Sequence, residues 1–371
     1  MTKYRPEDQF LLDCLRFHFQ SYADLKTNSS LNWDYILHNA ARHRVVPLLY
    51  LALKAVQTPD ALKEEFNRNA LHSLGLAAEL RRILTFLEVP SIPFKGPTLA
   101  ALAYGNVSYR QFDDLDLLIN KHDFSGAKEA LLRNGYSIVN KLNRDQEGAF
   151  LKSHHHCQFY NSNSGALLEV HWQIAPQIYS FRLEVPDLFD RAENVKVFGQ
   201  EILTLSPEDA LLVISEHGTR HYWSRLAWIC DVAKLCESEL DWAMTMERAR
   251  TLGIERAILL AISLARDILG SKRPNLLSSS TDKVVPNLAI EVEERLFSTF
   301  SPTDPNIERF YIRARERSMD KLRYYAYRAT IPTDDDLACI DLPGSLFPFY
   351  CLMRPVRLIN RYGSKVVKWL R

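Results

Sequence analysis

Apolar residues recur three or four positions apart over two long N-terminal stretches, the spacing that lines one face of a helix. Asp34 to Leu53 carries Ile36, Leu37, Ala40, Ala41, Val45, Val46, Leu48, Leu49 and Leu53 on such a pattern. Ala61 to Leu87 carries Leu62, Phe66, Ala70, Leu74, Ala77, Ala78, Leu80, Ile83, Leu84 and Leu87 on a similar stripe. Residues 1–89 therefore read as a helical N-terminal region. Pro90 and Pro93 then stop helix formation and push their neighbours towards extended backbone.

From residue 90 to about 200 the pattern alternates, as in an α/β core. Ile92 to Lys95 reads as a short extended piece, and Gly96-Pro97 opens a helix to Tyr104, with proline at a first-turn position where its missing N–H loses no partner. Gly105-Asn106 is a stop signal. Leu115 to Ile119 is a compact apolar strand. Asp123 is expected to cap a helix from Phe124 to Arg133, ended by Asn134-Gly135. Tyr136 to Val139, Cys157 to Tyr160 and Ala166 to Trp172 read as strands, the last two joined by a polar turn at 161–165. Ser206-Pro207-Glu208-Asp209 is a helix entry: a serine cap, a first-turn proline, and acids at the positive end of the dipole. Helical pattern then runs to about residue 270 and again from Ala289 to Arg328, with a loop over Ser271–Pro286. The expected fold is α+β: a helical region over 1–89, a small mixed sheet with flanking helices over 90–200, and a helical C-terminal domain over 201–371 that closes over it.

The 371 residues are 47% hydrophobic and 25% charged, which excludes wholesale disorder. With 46 basic and 45 acidic side chains the formal charge is +1, so any polyanion site must be local. A processive nucleic-acid enzyme would want a broad basic track. No apolar run approaches the ~18 residues of a membrane span. The first residues mix charges into their apolar positions, unlike a signal peptide. The six cysteines form no CxxC pair and read as reduced thiols of a cytoplasmic protein.

The chemistry concentrates around Phe94-Lys95-Gly96-Pro97 and Arg110-Gln111-Phe112-Asp113-Asp114-Leu115-Asp116. Side chains alternate across a strand, so Asp114 and Asp116 project from one face. Carboxylates that close raise each other's pKa unless a cation sits between them. Mg²⁺ fits, a hard ion that takes one or two carboxylates plus phosphate oxygens and water. Glu169, in Leu168-Glu169-Val170-His171-Trp172, offers a third acid from a neighbouring strand. Upstream, Lys95-Gly96 at a strand-to-helix turn combines close backbone approach with free N–H groups at a helix N-terminus, which suits a triphosphate.

These motifs resemble the polymerase-β-like nucleotidyltransferase superfamily, and within it a bacterial nucleotidyltransferase family with a Lys-Gly…Arg…Asp-Ile-Asp-Leu-Leu-Val core. Glu169-Val170-His171-Trp172 is similar to that family's later acid-apolar-His-Trp segment, and His217-Gly218 and Trp228-Ile229-Cys230-Asp231 to its following helical part. The resemblance implies transfer of a nucleoside monophosphate from an NTP, ATP first among them, to a hydroxyl of an acceptor, releasing pyrophosphate. It implies two Mg²⁺ ions, or Mn²⁺, on Asp114, Asp116 and Glu169, with Glu169 also placed to take the acceptor's proton. Lys95, Gly96 and Arg110 would bind the nucleotide, the two cations neutralising the leaving pyrophosphate. A small-molecule acceptor is preferred to protein or RNA. Three departures stand out: Pro97 replaces a common Ser or Gly, Glu169 replaces a common Asp, and 18 residues separate Gly96 from Asp114. The rival readings are a catalytically silent relative, binding nucleotide or a partner protein as sensor or scaffold, and an adaptor working through the basic tail.

Other features have plainer readings. Asp113, on the opposite strand face, reads as a surface residue, and Arg110 is weighed equally as partner of an acid. His154-His155-His156, with Cys157 and His171, suggests zinc, but consecutive strand residues point apart, so the run reads as a polar strand edge lining the acceptor cleft. His217 and His221 lie four apart on a helix without a metalloprotease glutamate, and read as a solvated or capped face, with Arg220 and the nucleotide cleft as the alternative. Trp172, Trp223 and Trp228 read as core. Arg354 to Arg371 holds six basic residues and no acid among apolar ones. It reads as a helix whose apolar side docks on the body, interrupted at Gly363, with contact to a polyanion or membrane surface as the alternative.

Overall fold

The computed structural model describes residues 4–20, 31–55, 58–139, 147–272, 282–298, 301, 304–339, 342 and 344–369. At its centre lies a five-stranded sheet of β1 (Ser91–Pro93), β2 (Asp114–Ile119), β3 (Tyr136–Ile138), β4 (His156–Asn161) and β5 (Leu167–His171), in the order β1-β2-β5-β4-β3. Only β2 and β5 run parallel, and their register sets Asp114 opposite Leu167 and Asp116 opposite Glu169.

Alternation along these strands sorts the sheet into two faces. Leu115, Leu117, Cys157, Phe159, Leu168 and Val170 turn to one side, where Phe124, Phe150 and Trp172 join them with Leu76, Leu80 and Ile83 of the helix Asp60–Phe86. Asp114, Asp116, Glu169 and His171 occupy the other parity. That side is roofed by a second core, in which Leu11, Leu12, Ile36 and Leu49 from the N-terminal helices mix with Leu211, Ile229, Leu260 and Leu288 from helices after residue 206. Helices from both ends of the chain thus share one apolar cluster above the acids.

Several expectations need correction. The stripe Asp34–Leu53 is two helices, Trp33–Arg42 and Val46–Leu53, with left-handed backbone at Arg44 (φ 57°) between them. Pro47 explains the break, since inside a continuous helix it would have no N–H for the His43 carbonyl and its ring would clash there. Asp123 does not cap its helix: a 3₁₀ turn over Lys121–Asp123 runs straight in, so Asp123 has helical rather than extended backbone. By contrast Ser206 Oγ does accept the Asp209 N–H, at 3.2 Å. The C-terminal helical pattern resumes at Val285, with Pro286 in its first turn, rather than at Ala289. Of the loop expected over 271–286, residues 273–281 lie outside the described residues.

A two-stranded hairpin, β6 (Glu193–Val197) and β7 (Gln200–Thr204), escaped the sequence reading. Its signal is there in hindsight: Phe198-Gly199, both at positive φ (51° and 76°), form a two-residue turn between alternating segments. The basic tail is one helix, Phe347–Trp369, which continues through Pro355 and Gly363. Tyr350 docks on the body, whereas Phe349, Leu352, Val356 and Ile359 are exposed, so the expected docking is partial. No described helix is long and apolar enough to cross a membrane.

Candidate active site

The strand β1 ends in a pinned turn. The Pro93 carbonyl accepts from Thr98 Oγ1 at 3.0 Å and from Thr204 Oγ1 at 2.7 Å, and the Lys95 carbonyl accepts from Thr98 Oγ1 at 3.1 Å. The helix Gly96–Tyr104 starts there, with Lys95 in extended backbone at its N-cap. Gly96 has φ +50°, and a Cβ built on it would stand 3.1 Å from the Asp114 carbonyl oxygen. Glycine is required on both counts, conformation and space. The close approach sets the helix N-terminus directly against the first acid of β2.

Asp116 is buried and accepts from Lys95 Nζ at 2.8 Å and from His171 Nε2 at 3.1 Å. Burial opposes its charge, but Lys95 and His171 hold the carboxyl well below the usual carboxylate range. Glu169, opposite it on β5, accepts from Gln158 Nε2 at 2.8 Å and from the same His171 Nε2 at 3.2 Å. Against the effect of burial, His171 and His156 hold its carboxyl at about 2. Asp114 is different. Burial, then the neighbouring Asp116 charge, pushes its carboxyl up to about 6. Lys95 and Arg44 only partly offset this.

Two of the expected acids, Asp116 and Glu169, therefore meet, with Asp114 beside them two residues upstream on the same strand face. Ligand atoms of Asp116, Glu169 and His171 lie within 4.8 Å of one another, and the charges of Asp116 and Glu169 both raise the Asp114 carboxyl. Arg110 goes elsewhere: its guanidinium makes a bidentate pair with Asp231 at 3.0–3.1 Å, and Tyr104 Oη donates to the same carboxylate at 2.9 Å. Asp113 is exposed and pairs with Arg44, as a surface residue does.

The histidine run does not follow the expected geometry. Strand β4 begins only at His156, and His155 sits in the bend before it, so alternation across a strand does not separate these two side chains. Their rings meet edge to face at 4.2 Å, and His171 lies 5.6 Å from one and 5.0 Å from the other. His154 turns away and stacks on Phe150 at 4.1 Å. Burial, then neighbouring positive charge, lowers His155 and takes His156 to about 4.

Above the acids opens a cavity of about 770 Å³, lined by Arg42, Arg220, Arg225, His217, His221, Tyr179 and Trp228 among others. None of its described lining residues is acidic. Arg220 lies over the Tyr179 ring at 5.0 Å and Arg225 over Trp228 at 5.5 Å. The cavity adjoins the acids electrostatically: Lys95 acts on His217 and His221, and Asp113 and Asp114 on Arg225. His217 and Arg220 follow the cleft-lining alternative, while His221 lines the same cavity yet is exposed, as the solvated-face reading has it, so the three make one wall of mixed exposure. Its cause is the turn after their helix, where Tyr222 and Trp223 are both left-handed (φ 57° and 50°) and the indole folds back onto Gly218. Trp172, Trp223 and Trp228 are all buried, as expected. Arg42, Arg225 and Tyr179 carried no motif that would have singled them out.

Residues 29–270 match the model of a family described as an uncharacterised nucleotidyltransferase. The chain belongs to this nucleotidyltransferase family. Among solved structures, it is similar to an antigenic nucleotidyltransferase-like protein from Paracoccidioides brasiliensis, at 13% identity and a TM-score of 0.39, over 57% of this chain and 99% of that one. No curated protein matches it.

The donor set of this corner fits a divalent cation. Three carboxylates share one corner, and the cations within bonding distance of Asp116 and Glu169 are Lys95 and, when protonated, histidines. A metal ion there would offset the Asp116 and Glu169 charges that stand beside Asp114.

Proposed function

We propose that the protein transfers a nucleoside monophosphate from an NTP, ATP in the first place, to a hydroxyl of a small-molecule acceptor, releasing pyrophosphate. The observation that carries this reading is the meeting of Asp114, Asp116 and Glu169 beside the N-terminus that opens at Gly96. Asp114 and Asp116 would hold Mg²⁺, or Mn²⁺, with Glu169 completing the set. Bound there, such ions would supply charge neutralisation to the attacking and leaving oxygens of an in-line displacement.

The chain's own groups have distinct tasks. The free N–H groups at the start of the helix Gly96–Tyr104 receive phosphate oxygens, and Pro97 withholds one of them. Lys95, whose ammonium stands 2.8 Å from Asp116, is the cation placed to neutralise the leaving pyrophosphate. Arg110 supports this site from behind, because its pair with Asp231 ties the segment before β2 to the helix Leu226–Leu235. Glu169, ionised near neutral pH, is the group assigned the acceptor's proton, and its depressed pKa makes it a weak base for that task. The arginine- and histidine-lined cavity seats the remainder of the substrates, with Trp228 and Tyr179 as stacking surfaces.

The test is conversion of α-labelled ATP with Mg²⁺ into a labelled acceptor and pyrophosphate, screened over hydroxyl-bearing small molecules. Asp116→Asn is expected to lower turnover by at least about a hundredfold in a folded protein. ATP binding with no turnover on any acceptor would instead support the silent relative.

A further inference from the structure

We infer that His155, His156 and His171 form a binding site for one borderline transition ion of the zinc class, beside the carboxylates suited to Mg²⁺. The inference rests on the reading above only in sharing its corner of the sheet; the imidazoles argue for themselves. One nitrogen from each ring falls in a group whose members all lie within 4.8 Å of one another. The facing nitrogens of His155 and His156 are 3.0–3.3 Å apart. Two imidazoles bound to one tetrahedral zinc at about 2.0–2.1 Å bring their nitrogens to about that separation.

His171 supplies the second observation. Its Nε2 faces Asp116 and Glu169, so donating that proton leaves the lone pair on Nδ1. Nδ1 is buried and has no hydrogen-bond partner. A carboxylate behind one imidazole nitrogen, with the other nitrogen free, is how metal-bound histidines are commonly oriented. Three imidazoles select zinc, or its Co²⁺ substitute, over Mg²⁺, which prefers oxygen.

The experiment uses the full chain without a purification tag, stripped of metal and then equilibrated with zinc alone. We expect one zinc per chain to survive gel filtration in excess Mg²⁺, and Co²⁺ to give the intense visible bands of a tetrahedral site. His155→Ala and His156→Ala should each weaken zinc binding by at least about tenfold, the loss that even outer partners of a metal can cause. Asp114→Asn should keep the zinc while losing Mg²⁺-dependent ATP binding, which separates this site from the nucleotide site. Zinc retained without any ATP binding would uphold this site and defeat the nucleotide reading. Failure of the unmutated chain to retain zinc or develop the Co²⁺ bands would overturn the inference. So would unchanged retention in the folded double variant, its fold checked by circular dichroism.

Discussion

Asp116 and Glu169 stand opposite each other on the parallel strands β2 and β5, and a single imidazole nitrogen, His171 Nε2, reaches both, at 3.1 and 3.2 Å. Asp116, buried, and Glu169, half-buried, remain ionised because both accept from His171 and Asp116 also pairs with Lys95. Asp114, two residues upstream, is only partly offset by Lys95 and Arg44. That asymmetry sets the pH behaviour of the corner.

Replacing Asp114 by Asn should stabilise the metal-free chain at pH 7. Its folded pKa of about 6 exceeds the unfolded value of 3.8, so the folded state holds the proton more tightly. Stability contributed by the protonated form is therefore lost as pH rises from about 3.8 to 6. Removing the charge should recover about 1–2 kcal/mol, after allowance for solvent screening. Thermal melts of Asp114→Asn and wild type in EDTA at pH 5 and 7 read this directly; no gain at pH 7 would contradict it.

Glu169→Gln should act in the opposite sense. The folded pKa of about 2 lies below the ordinary 4.5, so Glu169 contributes stability that is present above pH 4.5 and lost as pH falls towards 2. The variant should melt lower than wild type at pH 7 and converge with it near pH 2, insofar as both remain folded.

Mg²⁺ affinity should fall below pH 6. The ion needs Asp114 deprotonated, so each unit below that pKa should cost up to about tenfold in apparent affinity. Calorimetric titrations of Mg²⁺ at pH 5, 6 and 7 test this, and a flat profile would remove Asp114 from the ligand set.

Lys95→Met should leave Asp116 short of its ammonium partner, at a cost of about 1.5–3 kcal/mol. Mg²⁺ should restore more stability to this variant than to wild type, because it supplies the missing charge. Equal shifts in melting temperature for both proteins would argue that metal and lysine do not compete.

Gly218→Ala should destabilise the chain by about 1–3 kcal/mol or more. The added methyl would meet the Trp223 ring at 2.6–2.7 Å, and Trp223 is fully buried with left-handed backbone. Because this turn shapes the wall that carries His217, Arg220 and His221, ATP binding should weaken as well, as equilibrium dialysis would show.

Much of the site was legible because strand parity and helix-entry chemistry are local. Asp114, Asp116 and Gly96 follow from alternation and from a Gly-Pro helix start, and Glu169 sits where an apolar-flanked acid on the next strand should. Arg110 was not settled, since its partner Asp231 lies 121 residues away and local pattern cannot rank such pairings. The meeting of His155 with His156 depends on where β4 begins, and a shift of one residue at a strand end reverses the geometric conclusion. The cavity wall was hidden for a related reason. Arg42, in the helix Trp33–Arg42, and Arg225, at the N-cap of the helix Leu226–Leu235, are far apart in sequence, and only tertiary packing brings them to one opening.

That packing carries a consequence for biosynthesis. Arg16 Nε donates to the Ile268 carbonyl across 252 residues of chain, and Leu11, Leu12 and Leu15 belong to the same apolar cluster as Leu264 and Leu269. At about 5–20 residues per second, a ribosome needs on the order of 10–50 s to deliver that second partner after the first helix emerges. Throughout that interval Leu11, Leu12 and Leu15 can pack only against the helices Trp33–Arg42 and Val46–Leu53, an unfinished apolar cluster that suits holdase chaperones.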